Sequence, residues 1–108
     1  MDKVILNNYI GERGRAKFTV IKRNNGDYYF RVDSPYFNNS SYIARFYIWA
    51  DGDGTTHYDL NYKYNATYYT LELAYYLIKS KTHYNFHVYI EKEVNTPIFI
   101  DEAVFISI

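Results

Sequence analysis

The sequence predicts an all-β protein, an antiparallel sandwich of about seven to eight short strands. Three observations carry this. Apolar and polar residues alternate with period two from Ala16 almost to the end of the chain. Turn signals built from Asn, Gly, Asp and Pro recur about every 8 to 12 residues. With 108 residues, 48% of them hydrophobic, the chain has the size of one compact domain with a real core, so residues 1–108 read as a single unit.

Taken in order, Ala16–Arg23 sets Phe18 and Val20 against Lys17 and Thr19. Asn24-Asn25-Gly26-Asp27 is a turn, because Asn and Gly tolerate positive φ. Tyr28, Phe30 and Val32 then alternate with Tyr29, Arg31 and Asp33, which makes the two runs a hairpin. Pro35 and the cluster Asn38-Asn39-Ser40-Ser41 break the ladder. Tyr42–Ala50 is the longest strand candidate, closed by a turn at Asp51-Gly52-Asp53-Gly54. His57–Tyr64 alternates cleanly up to a turn at Asn65-Ala66. Thr67–Leu73 follows as a strand. Residues 70–81 also fit a helix through Leu71, Ala74, Tyr75 and Ile78, but a strand and a loop are preferred. His83–Glu91 and Pro97–Ile108 complete the count, the last bending near Asp101 where its alternation shifts. The expected core is Phe18, Val20, Phe30, Val32, Phe46, Ile48, Leu60, Leu71, Phe86, Val88, Ile98 and Ile100.

Composition narrows function. Formal net charge is zero, which disfavours a nucleic-acid binder that must displace counterions. Arg13, Arg15 and Lys17 form the one basic trio and read as a solvated strand edge. There is no cysteine, hence no disulfide or thiolate site. No apolar run has the length of a signal segment or a membrane span, so membrane insertion is not expected. Fifteen tyrosines are the compositional anomaly. Biased base composition of a genome explains part of this excess. The rest suits half-buried and interface positions, where an apolar ring with a polar tip is useful.

Several segments resemble the jelly-roll carbohydrate-binding modules of the galactose-binding-like type. The carriers are Asp27–Val32, Tyr42–Asp51, Thr67–Leu73 and the closing Ile98-Phe99-Ile100-Asp101-Glu102-Ala103-Val104, which together with the intervening chain cover about four fifths of the sequence. The resemblance implies a jelly-roll sandwich and a non-catalytic binding role. In that family the closing acidic pair helps hold a structural calcium, which makes Asp101 a metal-ligand candidate. This chain departs from the pattern by a short first segment without Trp, which leaves Asp101 without identifiable partners. Similar jelly rolls occur in virion appendages and receptor-binding proteins of viruses and phages.

The candidate site follows from facing. Ala44, Phe46, Ile48 and Ala50 form the core side of their strand, leaving Arg45, Tyr47 and the single tryptophan, Trp49, on the other. Rings pack on apolar sugar faces, and Arg donates to hydroxyls. The competing reading puts Trp49 in the core at its strand's end. His87 and Tyr89 lie opposite Phe86, Val88 and Ile90 and join the same surface if the strands share a sheet. Asp51-Gly52-Asp53-Gly54 is a calcium-loop fragment without its distal glutamate, so a plain turn is preferred. His83 and His87 lack a third ligand. No phosphate loop, nucleophile elbow or zinc-protease motif is present, and adjacent Asp101 and Glu102 face opposite sides of a strand. No enzyme activity and no cofactor are expected beyond the calcium just named. The expected function is a binding module for a glycan or cell-surface receptor, in a virion or another extracellular setting, with the cytoplasm left open. The alternative is a structural capsid, fibre or appendage subunit. Other virion subunits are candidate partners, and a homo-oligomer is expected.

Overall fold

The computed structural model describes residues 1–37, 43–50, 56–61, 68–73, 81–91 and 96–108, and at 43 and 56–61 the backbone alone. Among the described residues eight strands follow one another: β1 (Lys3–Ile10), β2 (Lys17–Lys22), β3 (Tyr28–Asp33), β4 (Ile43–Ala50), β5 (Thr56–Asn61), β6 (Tyr68–Leu73), β7 (His83–Glu91) and β8 (Pro97–Ile106). Among the described residues the one helical segment is a 3-10 turn, Pro35–Phe37. The strands form two four-stranded antiparallel sheets, in the orders β1-β2-β3-β6 and β5-β4-β7-β8. The protein is a β-sandwich. In chain order the β4–β5 pair nests within the β3–β6 pair, with β5 and β6 as edge strands, while β1-β2-β3 and β7-β8 run as sequential neighbours.

The hairpin between β2 and β3 forms where Asn24–Asp27 predicts it. Gly26 takes φ of 95°, a conformation that costs a glycine little. The Asn25 side chain accepts from the Asp27 N–H at 2.9 Å, and the Arg23 N–H reaches the Asp27 carbonyl at 2.7 Å. These bonds fix the register from Lys22 opposite Tyr28 to Lys17 opposite Asp33.

The inward faces supply an aromatic core. Phe86 of β7 packs edge-on against Phe18 and Phe30 of the opposite sheet, at 5.0 and 5.4 Å between centroids, and against Phe46 of β4 at 5.0 Å. All four rings are fully buried. Edge-to-face geometry sets the positive rim of one ring on the negative face of the next, worth about 0.5–1.5 kcal/mol per pair beyond burial. Phe37, on the 3-10 turn, packs edge-on against Tyr69 at 4.8 Å and closes one end.

Nine of the twelve expected core residues are buried, and Leu71 packs against them half-buried. Ile98 is a correction: it is 40% exposed, because it lies at the start of β8, the outermost strand of its sheet. Leu60, the turns at 51–54 and 65–66, the loop at 38–41 and the helix-or-loop choice at 74–80 lie outside the described residues. Thr19 is a second correction. Expected outward, it is buried, and its hydroxyl accepts the Asn8 N–H at 3.2 Å under β1. Strand β1 itself has no counterpart in the alternation. Two register irregularities and an Asn8 φ of 50° break its period. Arg13 and Arg15 lie in the exposed connection between β1 and β2, and only Lys17 stands on a strand.

Candidate functional site

The outward sides of β4, β7 and β8 form one surface. On β4, alternation buries Ala44, Phe46, Ile48 and Ala50 and leaves Arg45, Tyr47 and Trp49 half-buried on the other side. On β7, Asn85, His87 and Tyr89 do the same opposite Tyr84, Phe86, Val88 and Ile90. The two strands are neighbours in register, with Arg45 opposite Tyr89, Tyr47 opposite His87 and Trp49 opposite Asn85. All five expected residues therefore share one face. Trp49 belongs to that outward side, not to the core.

The rings form a continuous run. Trp49 meets His87 edge-on at 4.5 Å, His87 meets Phe99 at 5.5 Å, Phe99 meets Tyr89 at 5.2 Å, and Tyr89 meets Tyr47 at 5.2 Å. Phe99 enters through a β-bulge. Val88 pairs with Asp101 but Tyr89 pairs with Phe99, so Ile100 is an extra residue on β8. The bulge buries Ile100 and Asp101 together and leaves both Phe99 and Glu102 on the aromatic side. It is the bend that the broken alternation near Asp101 signals.

Charged groups frame the rings. The Arg45 guanidinium pairs with the buried Glu91 at 2.6 Å. The Arg13 guanidinium lies 5.6 Å from the centre of the Phe99 ring and 3.9 Å from a Glu102 carboxylate oxygen. Burial pushes the His87 imidazole below its ordinary value, against an opposing pull from Glu102. Burial, with lesser effects from Tyr47 and Glu102, raises the Tyr89 hydroxyl. Phe99, Glu102 and Arg13 are members that strand periodicity alone does not reveal. The one available signal is the alternation shift at Asp101.

Arg13 is brought there by Asp101. This side chain has no exposure, and its two oxygens accept four backbone N–H groups. Oδ1 takes those of Arg13 (2.7 Å) and Glu102 (2.8 Å). Oδ2 takes those of Arg15 (2.8 Å) and Ala16 (2.9 Å). The connection between β1 and β2 is thereby folded around one carboxylate. The calcium role implied for Asp101 does not fit this environment. Calcium needs about six to eight oxygen ligands, and here the first segment presents N–H donors instead. Among the described residues no three His, Cys, Asp or Glu side chains cluster as a metal site. His83 and His87 stand four residues apart on a strand, roughly 13 Å, too far for one ion. The acidic turn at 51–54 lies outside the described residues.

The arrangement is a patch of half-buried rings packed edge to face or tilted, flanked by Arg45 with Glu91 and by Arg13 with Glu102. Compared with known proteins, the chain matches no family model and no curated protein.

Proposed function

We propose that this sandwich is a non-catalytic binding module that recognises a glycan or a glycan-bearing cell-surface receptor through the outer face of β4, β7 and β8. The observation that carries the reading is the unbroken run Trp49–His87–Phe99–Tyr89–Tyr47 on one face of one sheet. Sugar rings have an apolar C–H face that packs on aromatic surface and a rim of hydroxyls that suits flanking Arg, Asn and Glu groups. Binding is favoured over hydrolysis because Asp101, one of the two carboxylates at the closing strand, is committed to backbone donors. A particle component or an extracellular module is the setting this role fits.

The test is a glycan array followed by titration of the best ligand into protein with and without Trp49→Ala. A loss of about tenfold or more in affinity, with melting unchanged, supports the reading. Absence of any glycan hit, or a hit that Trp49→Ala leaves intact, refutes it.

One observation favours the structural-subunit reading. Val104 and Ile106, on β8 beside the same face, are 48% and 44% exposed. A second copy burying them would extend the ring contacts across a symmetric interface. Light scattering decides between the two: a stable oligomer that Val104→Lys dissociates would favour the subunit.

A further inference from the structure

A groove of about 530 Å³ opens at one end of the sandwich, where β1 stops, β2 begins and β3 runs into the 3-10 turn. Its walls include Ile10, Arg15, Lys17, Asp33, Pro35 and Tyr36. Its volume is within the range of small-molecule sites, about 300–1,000 Å³.

The walls are held by buried polar groups. The Ser34 hydroxyl, buried, donates to the Arg15 carbonyl at 2.8 Å and accepts the Tyr36 N–H at 3.2 Å. The Arg15 N–H is bound by Asp101. One hydroxyl thus ties the residue that carries the cation to the residue that carries the ring. Such preorganisation removes part of the ordering cost of binding.

The charge of the groove is one-sided. Arg15 and Lys17 are exposed and have no ion-pair partner among the described residues. Asp33, the acidic residue of the wall, accepts Arg31 on both oxygens, at 2.8 and 2.9 Å. The apolar side is equally open: Tyr36 is 50% and Ile10 63% exposed.

We infer that this groove binds a carboxylate-bearing sugar of the uronate or sialate class. The carboxylate sits on Arg15 and Lys17, and the apolar face of the ring lies against Tyr36. A guanidinium fork matches a carboxylate in two parallel hydrogen bonds. A neutral sugar would leave both cations unanswered, and an inorganic anion would leave the ring and Ile10 uncovered. The inference is independent of the aromatic face, which lies on another surface of the sandwich.

The experiment titrates isotope-labelled protein, followed by amide NMR, with digalacturonate, sialyllactose, the methyl ester of digalacturonate and inorganic phosphate. One of the two acidic sugars should shift the amides of Arg15, Lys17 and Tyr36. Arg15→Gln should weaken that binding about tenfold or more, and Tyr36→Ala about fivefold. Both side chains are exposed, so the variants keep a folded spectrum. Trp49→Ala should bind as the parent does. The inference is overturned if neither acidic sugar shifts these amides, if the ester or phosphate binds equally well, or if Trp49→Ala abolishes binding and Arg15→Gln does not. The last result would assign the acidic sugar to the aromatic face and leave that reading intact.

Discussion

The carboxylate of Asp101 occupies the space that a side chain at Gly11 would need. A β-carbon on Gly11 would sit 2.2 Å from Oδ2 and 2.3 Å from the carboxyl carbon of Asp101. A non-bonded β-carbon does not approach another heavy atom that closely, so the close approach needs glycine. Gly11 in turn donates its N–H to the Ala16 carbonyl at 2.9 Å and accepts from Gly14 at 2.9 Å, which closes the connection around the carboxylate. The neighbouring Glu12 N–H bonds the Glu102 carbonyl at 2.9 Å, covering part of the free edge of β8. An open edge of a ten-residue strand invites pairing with another chain, and this cover limits it.

Gly11→Ala and Asp101→Asn should therefore both destabilise. Asp101→Asn removes the charge and replaces one acceptor with a donor facing two N–H groups. A loss of about 3 kcal/mol is expected, since hydrogen bonds to a charged group are worth about 1.5–3 kcal/mol each and buried orphans add to this. Gly11→Ala should cost at least about 2 kcal/mol by expelling the carboxylate. The double variant should lose much less than the sum, because each change breaks the same contact. Denaturant unfolding of the three variants measures this, and additive losses would show that the two residues act separately.

A chelator should leave the melting temperature of the parent unchanged, and calcium should not raise it. A ligand that binds only the folded state stabilises it in proportion to its concentration, so an upward shift in millimolar calcium would show that the N–H clasp opens to admit the ion. The measurement is differential scanning fluorimetry in calcium and in chelator.

Most strands were legible because alternation is a direct consequence of a one-sided core. Phe46, Ile48, Phe86 and Val88 are buried and Tyr47, Trp49, His87 and Tyr89 are turned away, as the pattern predicts. What periodicity cannot express is a residue out of step. Strand β1 was illegible because Asn8 at positive φ and two irregularities erase its period. Ile98 departs from the pattern because its register alone points inward, while its place at the start of an edge strand leaves it uncovered. The partners of Asp101 were invisible for a different reason. Three of the four are backbone N–H groups more than eighty residues away in sequence, and the identities of Arg13, Arg15 and Ala16 do not announce them.

Phe86 joins the two sheets, so Phe86→Ala should cost about 3–5 kcal/mol. It removes three edge-to-face contacts and leaves a cavity among Phe18, Phe30 and Phe46. Phe46→Ala should cost a similar amount. Chemical denaturation gives both numbers, and losses under about 1 kcal/mol would mean that the core collapses to fill the space.

Acidification should act through His87. Its imidazole is held below the ordinary value of 6.5 by burial, so the folded protein resists protonation that the unfolded chain accepts. The unfolded state then binds more protons, and stability rises with pH. The contribution is present above about pH 6.5 and is lost as pH falls through the depressed folded value. His87→Asn should flatten this part of the stability profile. Glu102→Gln should depress the imidazole further, because the Glu102 carboxylate pulls it upward. NMR titration of the ring protons reads both effects, and an imidazole titrating above 6.5 in the parent would contradict them.

Three adjacent residues at the start of β8 should give three different results. Ile98 is exposed, so Ile98→Ala should change stability by less than about 1 kcal/mol and leave binding intact. Ile100 is the bulged residue and is buried at 2% exposure, so Ile100→Ala should cost about 2–5 kcal/mol. Phe99 lies between them on the outer face, against His87, Tyr89 and the Arg13 guanidinium. Phe99→Ala should cost less stability than Ile100→Ala yet weaken glycan binding more. It should also move the His87 imidazole back toward its ordinary value, since removing the ring lets water reach it. Ile98 and Ile100 both have an inward register, and it is the start of the edge strand that leaves Ile98 uncovered. If those two variants lose equal stability, the start of β8 is covered in solution and Ile98 belongs to the core; if Phe99→Ala costs as much stability as Ile100→Ala, Phe99 is not on the outer face.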